Sequence, residues 1–100
     1  MIIRGTTPKI SFKLPFPTAQ LEGGFVTVQQ NERTIFEKPL SACDCDGKKV
    51  TARFEQEETL KLMSGILAEI RLVVKSFAGE RLETKPVVKR VINTSKEGVI

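Results

Sequence analysis

Glu69 to Val91 reads EIRLVVKSFAGERLETKPVVKRV, and the placement of this stretch decides the fold. In its first arm Ile70, Leu72 and Val74 fall on one face and Glu69, Arg71 and Lys75 on the other. That two-residue period is the pattern of a strand with one face in a core and one in water. Val73 interrupts the polar set and Phe77 follows it on the same side, which predicts an outer face that is partly covered. Ala78-Gly79-Glu80 is a short polar connection with a glycine able to take positive φ. The second arm starts at Arg81 and carries Leu82, Thr84 and Val88 on one face. Pro86 cannot donate to a ladder, so this arm is expected to be an edge strand or to break at its middle. A helix is a poor alternative, because Leu-Val-Val favours strand and the glycine and proline follow too soon.

Upstream, Ile10, Phe12 and Leu14 alternate with Ser11 and Lys13 as a first clear strand, stopped by Pro15-Phe16-Pro17. Phe16 is expected to plug the core. Thr18 to Gly24 reads as a connection with one short turn, ended by Gly23-Gly24. Residues 25–30 and 34–38 form a hairpin around Asn31-Glu32-Arg33, closed by Pro39. Ser41 to Lys48 is a polar loop containing the turn dipeptide Asp46-Gly47. Val50, Ala52 and Phe54 alternate as a further strand. Residues 56–64, QEETLKLMS, change to helix formers, with Leu60 and Met63 as a pair three apart and Gly65 as the stop.

About seven short strands with turns every 8 to 12 residues or so predict an all-β domain with one short helix, an antiparallel immunoglobulin-like β-sandwich spanning residues 1–100. The predicted core is Ile10, Phe12, Leu14, Val50, Ala52, Phe54, Ile70, Leu72 and Val74. One hundred residues suffice for one modest core and no second one.

Composition narrows the chemistry. There is no His, which removes the usual general base at neutral pH and the commonest metal ligand. A catalytic triad built on His cannot form, so the chain is read as not an enzyme. Glu57 and Glu58 would diverge on a helix and are better explained as negative charge at a helix N-terminus. The net charge of +4 is spread over residues such as Lys9, Lys48, Lys85, Lys89 and Arg90, with acids between many of them. Nucleic-acid binders concentrate such charge and interleave aromatics with it, so nucleic acid is not the expected partner. No apolar run approaches membrane-span length, and MIIRGTTPK lacks the apolar core of a signal peptide. The expectation is a protein made in the cytoplasm that has no membrane partner.

Cys43-Asp44-Cys45-Asp46 is the sharpest local cluster. One C-x-C without His falls short of a zinc set, and a disulfide across it would be strained and close almost no loop. Asp44-x-Asp46-Gly47 with Glu55 at the twelfth position has part of a calcium-loop spacing. The strand at Val50 to Phe54 and the cations Lys48 and Lys49 argue against that reading. Free thiols, no metal and no cofactor are the expectation.

Three stretches together carry a resemblance: MIIRGTTPKISFKLPF, CDCDGKKV, and QEETLKLMSGILAEIRLVVKSFAGERLETKPVVKRVIN. The chain resembles small proteins encoded among the tail genes of phages and prophages of Gram-positive bacteria, which are similar to the immunoglobulin-like N-terminal domain of baseplate upper proteins. The resemblance implies a structural component of a virion or phage-tail-like particle. Its partners would be other tail or baseplate proteins and further copies of itself. It supplies no catalytic residues. The alternative is a soluble prophage protein that binds and inhibits a host defence or nuclease system. For the assembly role, the apolar ends supply the candidate interface: Met1, Ile2, Ile3 and Arg4 at one end, Val99 and Ile100 at the other. Ile2 and Ile3 could pair at a sheet edge or reach a neighbouring subunit; the assembly role takes the second course, with the N-terminal segment clear of the core and able to add a strand to a neighbour's sheet.

Overall fold

The computed structural model describes residues 1–93, in which nine strands and one α-helix form a two-sheet β-sandwich. The strands are β1 (Ile2–Ile3), β2 (Lys9–Lys13), β3 (Leu21–Gln30), β4 (Arg33–Pro39), β5 (Asp44–Asp46), β6 (Lys49–Arg53), β7 (Leu67–Ser76), β8 (Arg81–Glu83) and β9 (Val87–Ile92). The helix α1 spans Gln56–Leu60. The larger sheet runs β1-β9-β7-β3-β4, with β8 also on β7, and the smaller runs β2-β6-β5.

The first arm of the 69–91 stretch is the hub. β7 pairs antiparallel with β3 on one side and with both β8 and β9 on the other. The second arm breaks between β8 and β9, across Thr84 to Pro86, as the proline requires. Thr84 still holds the break against the hub: its backbone N donates to Leu72 O at 2.9 Å, and its hydroxyl accepts from Leu72 N at 3.0 Å. All nine residues predicted for the core are buried, and they join Val26, Val28, Phe36, Leu62, Ala68 and Val91 in one cluster between the sheets. Phe36 and Phe54 meet edge to face at 5.2 Å, a favoured aromatic geometry. Phe16 is half-buried and packs on this cluster.

Several expectations change. Gly23 and Gly24 do not end a turn; they lie inside β3. A Cβ at Gly24 would sit 2.3 Å from the carbonyl oxygen of Val73, so glycine is what lets β3 approach β7. Residues 44–46, read as loop, form the edge strand β5. All three are exposed, so no alternation marks them in the sequence. The buried side chains of this stretch are Thr59 within α1 and Leu62 just after it, while Leu60 is half-buried and Met63 exposed. The helix is only five residues long and unwinds before Met63 would turn inward.

The largest correction concerns the N-terminus. Ile2 is 1% exposed and belongs to the core. β1 adds to its own chain's β9, pairing Ile2 with Val91 and Ile3 with Ile92. This is the parallel pair in an otherwise antiparallel arrangement. The segment expected to be free for a neighbour's sheet is thus used at home. Burying an isoleucine side chain is worth roughly 1.5–3 kcal/mol, enough to hold a two-residue strand that could not form alone.

Buried polar groups lock the helix end to the sheets. Gln30 on the inner face of β3 donates through Nε2 to the carbonyls of Met63 (2.9 Å) and Ile66 (3.1 Å) and accepts from Met63 N at 2.7 Å. Lys38 on β4 donates to Glu58 Oε1 at 2.8 Å, and the same oxygen accepts Glu55 N at 2.8 Å. One carboxylate thereby caps α1 and neutralises a buried ammonium. Thr59 Oγ1 accepts Gly5 N at 2.9 Å and donates to Thr6 O at 2.9 Å, which ties the helix to the N-terminal segment.

Candidate docking face

The outer face of the larger sheet carries the candidate site. On β7, Leu67, Glu69, Arg71, Val73 and Lys75 point away from the sandwich, because Ala68, Ile70, Leu72 and Val74 point into it. The register places Leu67 opposite Arg90, Glu69 opposite Val88 and Ile3 opposite Ile92. Leu67 is therefore diagonal to both Val88 and Ile92, within reach of side-chain contact. The result is a strip of apolar residues across β1, β9 and β7, with the exposed Arg90 on the same face between Val88 and Ile92. Leu67 is 56% exposed, Val88 49% and Ile3 38%, Ile92 is half-buried, and Met1 at 69% adjoins the strip.

The middle of the face is polar and self-satisfied. Arg71 donates to Gln29 Oε1 at 2.7 Å and to Glu69 Oε2 at 3.2 Å, and Glu83 lies 4.0 Å from its Nε. This cluster covers Thr27 and Val73, both buried although they face outward. The partial cover expected from Val73 is therefore present. Phe77, in contrast, is largely exposed in the turn after β7.

Of the six predicted interface residues, Met1 and Ile3 are on the surface and join the strip. Ile2 is excluded by its burial. Arg4 is a latch within the chain: its backbone N donates to Ile92 O at 3.0 Å, and its guanidinium donates to Asn93 Oδ1 at 2.8 Å and Leu60 O at 2.9 Å. Val99 and Ile100 lie outside the described residues. Leu67, Val88 and Ile92 were missed because the sequence does not reveal which outward apolar residues converge. That depends on the β7–β9 register, which places residues more than 20 apart side by side.

Cys43 is half-buried and Cys45 exposed, and both are free thiols. Burial, reinforced by the neighbouring Cys45, pushes the Cys43 thiol above its ordinary pKa. Among the described residues no group of three or more His, Cys, Asp or Glu side chains is placed to hold a metal. No helix among them is long and apolar enough to cross a membrane. Comparison with family models, with curated proteins and with solved structures finds no match to this chain.

Proposed function

We propose that this chain is a non-enzymatic structural component of a phage tail, baseplate or phage-tail-like particle, and that it acts by docking onto other subunits. The observation that carries this reading is the apolar strip of Met1, Ile3, Leu67, Val88 and Ile92 on an open sheet face. An exposed apolar patch beside polar residues marks a surface meant for a partner. Its flanking edge strand has only two residues, too short to invite unregulated strand addition. Side chains rather than a free backbone edge would then carry the association. The resemblance of MIIRGTTPKISFKLPF and its companion stretches to tail-gene products directs the choice of partner to a tail ring or a second copy.

The test is Leu67→Glu combined with Val88→Glu. Both residues are exposed, so the fold should hold, with unchanged circular dichroism and melting. The expected result is a smaller mass by light scattering, or loss of the protein from purified induced particles by mass spectrometry. A variant that keeps its mass and its place in particles would refute the strip as the docking surface. A wild-type chain that is monomeric and absent from particles would favour the soluble inhibitor.

A further inference from the structure

At the far end of the same face, β3 and β7 enclose an open cleft of about 380 Å³. Its floor is Gly23 and Gly24, its apolar wall Phe25 and Val73, and its rim Lys75, Arg81 and Glu22. The register puts Lys75 directly opposite Arg81 on β8 and opposite Gly23 on β3. Like charges directly opposite one another on a sheet are unfavourable. Among the described residues neither cation has a carboxylate within ion-pair distance. Glu22 is the single acid on the rim, so the cleft carries an excess positive charge.

The two glycines differ. Gly24 is required by the close approach to Val73, but Gly23 is not: a Cβ there would meet nothing within 4 Å, and its backbone is outside the left-handed region. Glycine in a strand interior weakens the strand and often marks close approach of a ligand or another backbone. Gly23 lies where β3 shifts register against β7, between Leu21 and Gly23, but neither its φ nor its surroundings exclude a side chain there. What its missing side chain leaves is room between an exposed phenylalanine and two cations.

We propose that this cleft docks a segment of a partner protein that presents a carboxylate next to an apolar side chain. The apolar group would lie over the glycines against Phe25 and Val73, and the carboxylate would accept from Lys75 and Arg81. Charge complementarity selects the acid, since the excess charge and the unfavourable cross-strand pair are both relieved by one bound anion. Leu67 starts β7 and Lys75 lies near its end, so the cleft and the apolar strip are separate surfaces, and either can fail without the other.

Isotope-labelled protein titrated with acetyl-Phe-Glu-Glu amide, and in parallel with acetyl-Phe-Gln-Gln amide, tests the site by amide chemical shifts. The acidic peptide should give saturable shifts at Gly23, Gly24, Lys75 and Arg81, and the amide peptide should bind about tenfold more weakly or worse. Lys75→Gln with Arg81→Gln should lose the preference between the peptides. Gly23→Val should fill the cleft, keep its melting temperature and lose the shifts. Equal response to both peptides, shifts confined to other residues, or no saturation at millimolar peptide would overturn the proposal. Should Gly23→Val fail to fold, the exposed charge pair still decides the matter.

Discussion

Ile2→Ala separates a structural N-terminus from an interactive one. Ile2 sits on the inner face of β1, paired with Val91 and essentially sealed from water. Truncating a buried isoleucine removes its transfer free energy and leaves a cavity, with typical losses of about 2–5 kcal/mol. β1 is an edge strand of two residues beside the chain end, so the site can collapse more readily than a central one. A loss of about 2–3 kcal/mol is expected. For a domain of this size that lowers the melting temperature by roughly 10–20 °C. Urea melts should show the midpoint falling with an unchanged slope. The control is Ile3→Ser, one residue on and facing outward, which should cost clearly less than Ile2→Ala because Ile3 keeps part of its surface in water. Deleting Met1 to Arg4 should cost at least as much as Ile2→Ala, since it also removes the bonds of Arg4 to Ile92 and Leu60. A loss below about 1 kcal/mol for Ile2→Ala would show that β1 is frayed in solution and that its packing contributes little.

Four further outcomes are expected. Gln30→Leu should destabilise by about 1–3 kcal/mol in denaturant melts, because Met63 N and the carbonyls of Met63 and Ile66 lose their partner; a neutral result would mean water replaces the amide. Glu32→Gly should stabilise by about 0.5–1 kcal/mol, since Asn31 and Glu32 both hold positive φ, at 50° and 62°, in a two-residue hairpin connection that favours Asn-Gly; a fall in melting temperature would show that the Glu32 side chain has a role of its own. Cys45 should be alkylated before Cys43 at mildly alkaline pH, because Cys45 is exposed and burial keeps the Cys43 thiol protonated to higher pH. The same shift sets a sign for stability: the unfolded chain ionises Cys43 first, so stability should fall as pH rises through the ordinary cysteine range and level off past the folded value, and the fall should vanish in Cys43→Ser.

The strands that alternate cleanly were legible because burial alone dictates their pattern. Ile70, Leu72 and Val74 need only one face of a sheet to satisfy them, and the same holds for Ile10 and Phe12 or Val50 and Ala52. Elements fixed by a distant partner were not. Gln30 looks like a surface residue until its three bonds to the 63–66 loop are seen, and Lys38 until Glu58 reaches it. Gly23-Gly24 looks like a stop, and only the nearness of β7 turns Gly24 into a strand residue. The candidate face suffered most, since Ile3, Leu67 and Val88 are unrelated in sequence and meet only through the sheet register.

The pairing of Ile2 with Val91 also imposes an order on synthesis. β1 must wait for β9, which is made about 90 residues later. At about 5–20 residues per second, that wait lasts roughly 5–20 s. Through it Ile2 has no ladder to join, and the closing loop is nearly as long as the chain, so its entropic penalty is close to the largest this chain can incur. The hub strand can meet β3 and β8 earlier, leaving the β1–β9 seam to close last. In the finished protein that seam would be the first to open, and amide exchange at Arg4, whose N donates to Ile92 O, should report local openings well below the free energy of global unfolding.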